Sequence, residues 1–308
     1  MALFSIPRYA TAQAPERVPR VVLYFTSPVL KDIVAARLRD LGWGGGSIVL
    51  DFRPPALEGD IESHIREIIR QRADVLIIAG PERIRAAMNV TQTIPIVGID
   101  LESDPVAAGF VQSLARPGRN VTGIWMDLPE LTGKQLQYLR ETVPKLSRVG
   151  IVWDDRIARA QLAEAERTAR ALNITLYPVP LHKTAEADDV MKRVIAERPQ
   201  ALLLLTAPVV FTALSRLATL ARQHRFPSIS PFSTYPEAGG LLAYGPDFPT
   251  MWRQTAGYAD RILKGARVQD LPVERPSKFV LVVNATTAKM LGLPVTSSLL
   301  LRADQVID

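Results

Sequence analysis

Short polar residues sit at the ends of apolar runs along this chain, and they are where chemistry could occur. Asp154 and Asp155 follow the run 149–153. A carboxylate pair there can hold an ammonium group, cap a helix or move a proton. Asp100, Ser103 and Asp104 follow the run 94–99, and Thr26 and Ser27 follow 21–25. Gly80 and Pro81 follow 75–79, Thr206 and Ala207 follow 201–205, and Phe232 and Ser233 follow 227–230. Each set offers free backbone N–H groups or short side chains suited to hydrogen-bonding a small ligand. Ser27, Asp104 and Ser233 also have the form of ordinary helix N-caps. Among the aromatics near these ends, Tyr24 reads as core. Trp125 and Phe232 read as faces on which a flat or cationic ligand could stack.

Signatures of catalysis fail. His64, His182 and His224 lack metal-ligand spacing to one another, and no cysteine completes a site, so no metal is expected. The glycine-rich stretch 42–46 precedes a strand rather than a helix, so it lacks the N-terminus that cradles phosphate. Gly133-Lys134 is followed by Gln135, which breaks the phosphate-loop pattern, and no G-x-S-x-G occurs. No catalytic residue and no cofactor are expected.

The elements that must position these residues follow from periodicity. Apolar runs at 21–25, 48–52, 75–79 and 94–99 alternate with helical spacing at 30–41, 61–69 and 81–88. Strand and helix alternate again from 129 to 230. This is the pattern of parallel sheets covered on both faces, in two α/β halves. Between the halves, Asp104 as N-cap and Pro105 at the first helical position predict a helix through Leu114, stopped by Arg116-Pro117-Gly118. The expected division is a tail at 1–20, one lobe from 21–121 plus 247–273, and another from 122–246 plus 274–308. In open parallel sheets ligands bind outside the carboxyl ends of the strands, which is where the candidate residues fall.

Composition narrows the class. The 308 residues are 47% hydrophobic and 22% charged, enough for two real cores. The net charge of +6 comes from 37 basic and 31 acidic residues spread along the chain, which predicts a solvated basic surface. The absence of cysteine excludes disulfides and cysteine nucleophiles. No apolar run reaches the roughly 18 residues a membrane helix needs. Ala12-Gln13-Ala14 has the small-x-small form of a secretory cleavage site, but the apolar stretch 2–6 is short for a signal core, so residues 1–14 read either as the remnant of a signal peptide or as a disordered cytoplasmic tail. Residues 1–20 cannot hold a helix-turn-helix, so no nucleic-acid partner is expected.

Ile94-Pro95-Ile96-Val97, then Ser103-Asp104-Pro105-Val106 with Gly109, then the run 114–123 (L-A-R-P-G-R-N-V-T-G) resemble the central signature of bacterial ABC-transporter substrate-binding proteins with the type I periplasmic binding fold. The tryptophan-type subfamily is the nearest in pattern. The runs 144–150, 259–265 and 298–304 match as well. The resemblance implies two lobes joined by three crossovers, a small solute such as an amino acid, aromatic or carboxylated compound, a membrane permease with its ATPase as partners, and a periplasmic location. It also implies ligand contacts from Thr26, Gly80, Pro81, Ser103 and Asp104 in one lobe and Asp154, Thr206 and Phe232 in the other. Hinge residues are expected near Thr122-Gly123, Gly245-Pro246 and Val273. The chain departs from the pattern at 98–102, which is more acidic and a residue longer, and at Trp125, commonly a small polar residue. A sensory module and an enzyme on a similar frame stay open as alternatives.

Overall fold

The structure is a computed structural model that describes residues 17–55, 60–126, 129–294 and 296–308. The signal remnant or tail at 1–14 lies outside the described residues. The first half runs β1 (Arg20–Tyr24), α1 (Pro28–Asp40), β2 (Val49–Phe52), α2 (Ile61–Arg70), β3 (Val75–Ala79), α3 (Pro81–Val90), β4 (Ile96–Asp100) and β5 (Val121–Trp125). These strands form one sheet in the order β2-β1-β3-β4-β5, parallel throughout. The second half runs α4 (Glu130–Thr142), β6 (Arg148–Trp153), α5 (Arg159–Leu172), β7 (Thr175–Pro180), α6 (Ala187–Ala196), β8 (Ala201–Leu204), α7 (Pro208–Thr212), α8 (Leu214–Gln223), β9 (Ser228–Ser230) and β10 (Leu242–Pro246). The chain then returns to the first sheet with α9 (Phe248–Leu263). It ends on the second with β11 (Phe279–Asn284), α10 (Ala285–Leu291), α11 (Ser297–Arg302) and β12 (Gln305–Ile307). The second sheet has the order β12-β11-β10-β9-β8-β6-β7. Only the β10–β11 pair in it is antiparallel. The chain therefore passes between the lobes three times, after β5, after β10 and before β11.

Each sheet is buried on both faces, which explains its nearly continuous apolar strands. In the first, Val21, Leu23 and Phe25 point to α1 and α9, while Val22 and Tyr24 point to α2 and α3. In the second, Val149, Ile151 and Trp153 pack on α4 and α5, while Val152, Leu202 and Leu204 pack on α6 and α8. A buried Leu or Ile of this kind contributes about 1.5–3 kcal/mol.

Two expectations are corrected. The stretch after Asp104 is one turn, not a helix. Asp104 does cap it, accepting from the backbone N–H groups of Val106 (2.8 Å) and Ala107 (3.1 Å). Gly109, at φ 72°, then ends it at once: its N–H bonds the Val106 carbonyl and the Phe110 N–H bonds that of Pro105. That left-handed glycine stop outweighs the apolar spacing beyond it. Second, residues 121–125, expected from residue 122 onward to open the second lobe, are the edge strand of the first sheet, with Ile96 paired to Val121 and Asp100 to Trp125. The crossing falls after Trp125.

Candidate functional site

The carboxyl ends of strands from both sheets converge on one cleft. The first lobe brings Phe25 and Thr26 after β1, Ala79 and Gly80 at β3, and Ile99, Leu101 and Glu102 at β4. The second brings Ala207 and Pro208 after β8, Phe211 from α7 and Phe232 after β9. The start of α9 closes one side with Phe248, Met251 and Trp252. A cavity of about 80 Å³ lies between them. The lobes approach closely: a Cβ on Gly80 would stand 3.6 Å from Pro208 Cγ.

The walls are aromatic. Phe25 and Trp252 lie 4.4 Å apart between ring centroids at 57°. Phe211 stacks on Phe248 at 6.3 Å and 13°, and Phe232 meets both, at 5.0 Å from Phe211 and 5.5 Å from Phe248. Trp252 is buried, and its indole N–H has no hydrogen-bond partner among the described residues. Arg83 and Glu102 are the charged side chains of this cleft. Arg83 donates one N–H to the Ala79 carbonyl (2.9 Å), and burial depresses its pKa. Burial pushes the Glu102 carboxyl well above the ordinary carboxylate range, and the neighbouring Asp100 pushes it further.

The residues expected from sequence divide by location. Thr26, Gly80, Ala207 and Phe232 line the aromatic cleft. Pro81 and Asp154 lie on an adjoining, more polar groove with Arg156, His182 and Lys183, which shares Thr26, Gly80 and Arg83. Thr206 lies in a small recess behind Glu102, where Gln161 bonds both its N–H (2.8 Å) and its carbonyl (3.1 Å). Ser27 is the N-cap of α1 without a side-chain bond, and Ser233 opens the turn 233–239. Neither lines the cleft. Asp104 is exposed and occupied by its turn.

Asp100 and Trp125 belong to the first lobe's interior. Asp100 Oδ1 accepts from the N–H groups of Glu102 (2.9 Å) and Ser103 (3.2 Å), and Oδ2 accepts from Ser103 Oγ and from Trp125 Nε1 (3.2 Å). Trp125 is 1% exposed and packs on Phe110 and over Gly98, where a Cβ would come within 2.5 Å of its ring. It is therefore core, and a stacking role is corrected: Trp125, the register partner of Asp100, packs with Ile84 and Ala87 of α3 and does not line the cleft.

The acidic pair of the second lobe is already engaged. Arg156 clasps Asp154 with two bonds, of 2.8 and 2.6 Å. Burial alone would raise the Asp154 pKa, but these bonds outweigh it and hold the carboxyl below its ordinary range. Asp155 meets His182 Nε2 at 2.7 Å. Asp154, Asp155 and His182 thus place three ligand-type atoms within 4.8 Å of one another, a grouping their sequence spacing does not reveal. The guanidinium on Asp154 occupies the charge a cation would need.

Sequence reasoning missed Arg83, Glu102, Phe211, Phe248 and Trp252. Glu102 lies between two residues that it named, and Arg83 lies one turn into the helix that Gly80 opens. The strand-end rule reaches both if it is extended by one turn. The α9 aromatics come from a segment 120 residues later than β5, and only the return crossing brings them in.

The fold and this cleft define a two-lobed binding protein of the type I periplasmic class. The chain belongs to the family described as ABC transporter substrate binding protein, whose profile matches residues 51–307. It is 23% identical over 267 residues to a tyrosine-binding protein of Clostridioides difficile (strain R20291), covering 85% of this chain and 76% of that one. A structure of the ABC domain in complex with L-Trp from Streptococcus pneumoniae superposes with a TM-score of 0.84 at 21% identity, over 94% of this chain and 100% of that one. A conserved domain protein from Vibrio cholerae gives 0.83 at 25% identity, with the same coverage of each chain. Among the described residues no helix is long and apolar enough to cross a membrane.

Proposed function

We propose that this chain binds an amino acid with an aromatic side chain between its lobes, outside the cytoplasmic membrane, and delivers it unchanged to an ABC permease and its ATPase. One observation carries the reading: a cleft walled by five aromatic rings holds a cation, Arg83, that pairs with no carboxylate among the described residues. Aromatic walls suit a flat apolar body, and the planar guanidinium fork suits a carboxylate. The relatives that bind tyrosine and tryptophan support the same solute class. Closure strips water from the cleft and strengthens each polar contact. The solute favours the closed form by its differential affinity. The hinge then lies at the three passages between the sheets.

A thermal-shift screen over amino acids, nucleosides and sugars tests this. A ligand at 100 times its Kd adds about 2.7 kcal/mol of stability. L-tyrosine or L-tryptophan should raise the melting temperature and be recovered intact. A response confined to sugars or nucleosides overturns the solute class, and turnover of the solute overturns the binding role.

A further inference from the structure

We propose that Glu102 receives the positively charged end of the solute, and that its carboxyl releases a proton to solvent when it does. This rests on the cleft reading above and goes on to the charge that the solute carries.

The two carboxyls at the end of β4 are not equivalent. Asp100 is saturated: four donors, from Glu102, Ser103 and Trp125, reach its two oxygens. Its oxygens are therefore taken up within the loop and not free for a ligand. Glu102 accepts from the Leu101 N–H at 3.2 Å, shares a hydrogen bond with the Asp100 carboxyl, and forms no ion pair among the described residues. Its side chain lines both the aromatic cleft and the recess behind it. The charged groups facing it are Asp100 on its own loop and Arg83 from α3. From the other lobe α4, α5 and the end of β8 present Thr132, Gln161 and Thr206, all uncharged. A half-buried carboxyl hydrogen-bonded to a second carboxyl, with no cation bonded to it, is destabilised as the carboxylate. Arg83 and Glu102 also fail to close on each other. An open pair of opposite charges in an apolar cleft suits a zwitterion, with carboxylate to Arg83 and ammonium to Glu102.

The charge balance is direct. The protonated Glu102 carboxyl meets an ammonium, the O–H bond breaks, the proton goes to buffer, and a carboxylate–ammonium pair remains. Binding therefore tightens as pH rises above the ordinary carboxylate range, levels off once pH passes the raised pKa of Glu102 in the empty protein, and weakens when the solute's own ammonium deprotonates.

Calorimetry on the full chain tests this with L-tryptophan, L-tyrosine, tryptamine and indole-3-propionate, in buffers of different ionisation enthalpy between pH 5 and 8. For wild type, the ammonium-bearing probes that bind should release up to one proton, and indole-3-propionate none. Glu102→Gln should weaken L-tryptophan or L-tyrosine by about 30-fold or more, as for loss of one partner of a buried charge pair, and abolish the release. Indole-3-propionate should change by less than about threefold, because it lacks the group that Glu102 would meet. Wild type that binds L-tryptophan without releasing a proton overturns the proposal without recourse to any variant. So does unchanged affinity in Glu102→Gln, and either result leaves the cleft reading standing. Failure of every probe to bind wild type overturns both.

Discussion

Asp100 and Trp125 stand opposite each other at the ends of two parallel strands, and the indole Nε1 donates to Asp100 Oδ2 at 3.2 Å. Both side chains are buried. Through Asp100 the indole is tied to the loop that carries Leu101 and Glu102 into the cleft, because the same carboxylate accepts the Glu102 and Ser103 N–H groups. Trp125 thus holds that loop in place without itself lining the cleft. Trp125→Phe should cost about 1–3 kcal/mol by leaving a buried carboxylate one donor short. Urea unfolding should show a lower midpoint at an unchanged slope.

Gly123 faces the backbone of Gly98 across the β4–β5 pair, at φ 134°. A Cβ there would lie 2.1 Å from the Gly98 carbonyl oxygen, which is backbone and cannot swing aside. Gly123→Ala should destabilise by about 3 kcal/mol or more, adding overpacking to strain. Gly265, also at positive φ but with open space around it, separates the two effects. Gly265→Ala should cost about 1–2 kcal/mol, since only strain acts. Thermal denaturation of the two variants reads the difference.

Of the chain's tryptophans only Trp252 lines the cleft; Trp125 and Trp153 are core, and Trp43 bonds Asp260 at 2.8 Å. Binding of an aromatic solute should therefore shift the emission of Trp252 alone. Trp252→Phe should abolish the fluorescence change that L-tyrosine produces, with binding followed by calorimetry. A full response in the variant would place the solute elsewhere.

Glu102 should also mark the pH dependence of the empty protein. Its folded pKa is raised, first by burial and then by Asp100, so the folded state holds a proton that the unfolded chain gives up near pH 4.3. Stability from this group falls as pH rises from there through the folded value. Glu102→Gln should remove that fall and leave the empty protein more stable than wild type at pH 8, as read by melting temperature across pH.

Asp154 has the opposite sign. Its folded pKa is depressed, because Arg156 outweighs burial, so its contribution is present above about pH 3.9 and is lost as pH falls through the folded value. Arg156 is half exposed, so the pair is screened. Asp154→Asn should cost about 1 kcal/mol at pH 7 and nothing in strong acid, as seen in acid-unfolding curves.

The strands, their two-sided burial and the strand ends at which a ligand would meet them are legible in the residues alone. Those depend on local period and composition: the run 75–79 is a buried strand whatever surrounds it, and Gly80-Pro81 opens a helix by its own backbone preferences. Thr26, Gly80, Ala207 and Phe232 are legible at the cleft for the same reason. What each side chain meets once there depends on how the two sheets assemble. Asp100 and Glu102 are two residues apart, yet one is sealed by an indole from the neighbouring strand and the other is left open to the cleft. Asp154 and Asp155 look like ligand groups until Arg156 and His182 reach them. Phe248 and Trp252 arrive from a helix that the chain carries back across from the second sheet. Partners so far apart in sequence leave no local period to read, because the contacts that assign them form only when the sheets are assembled.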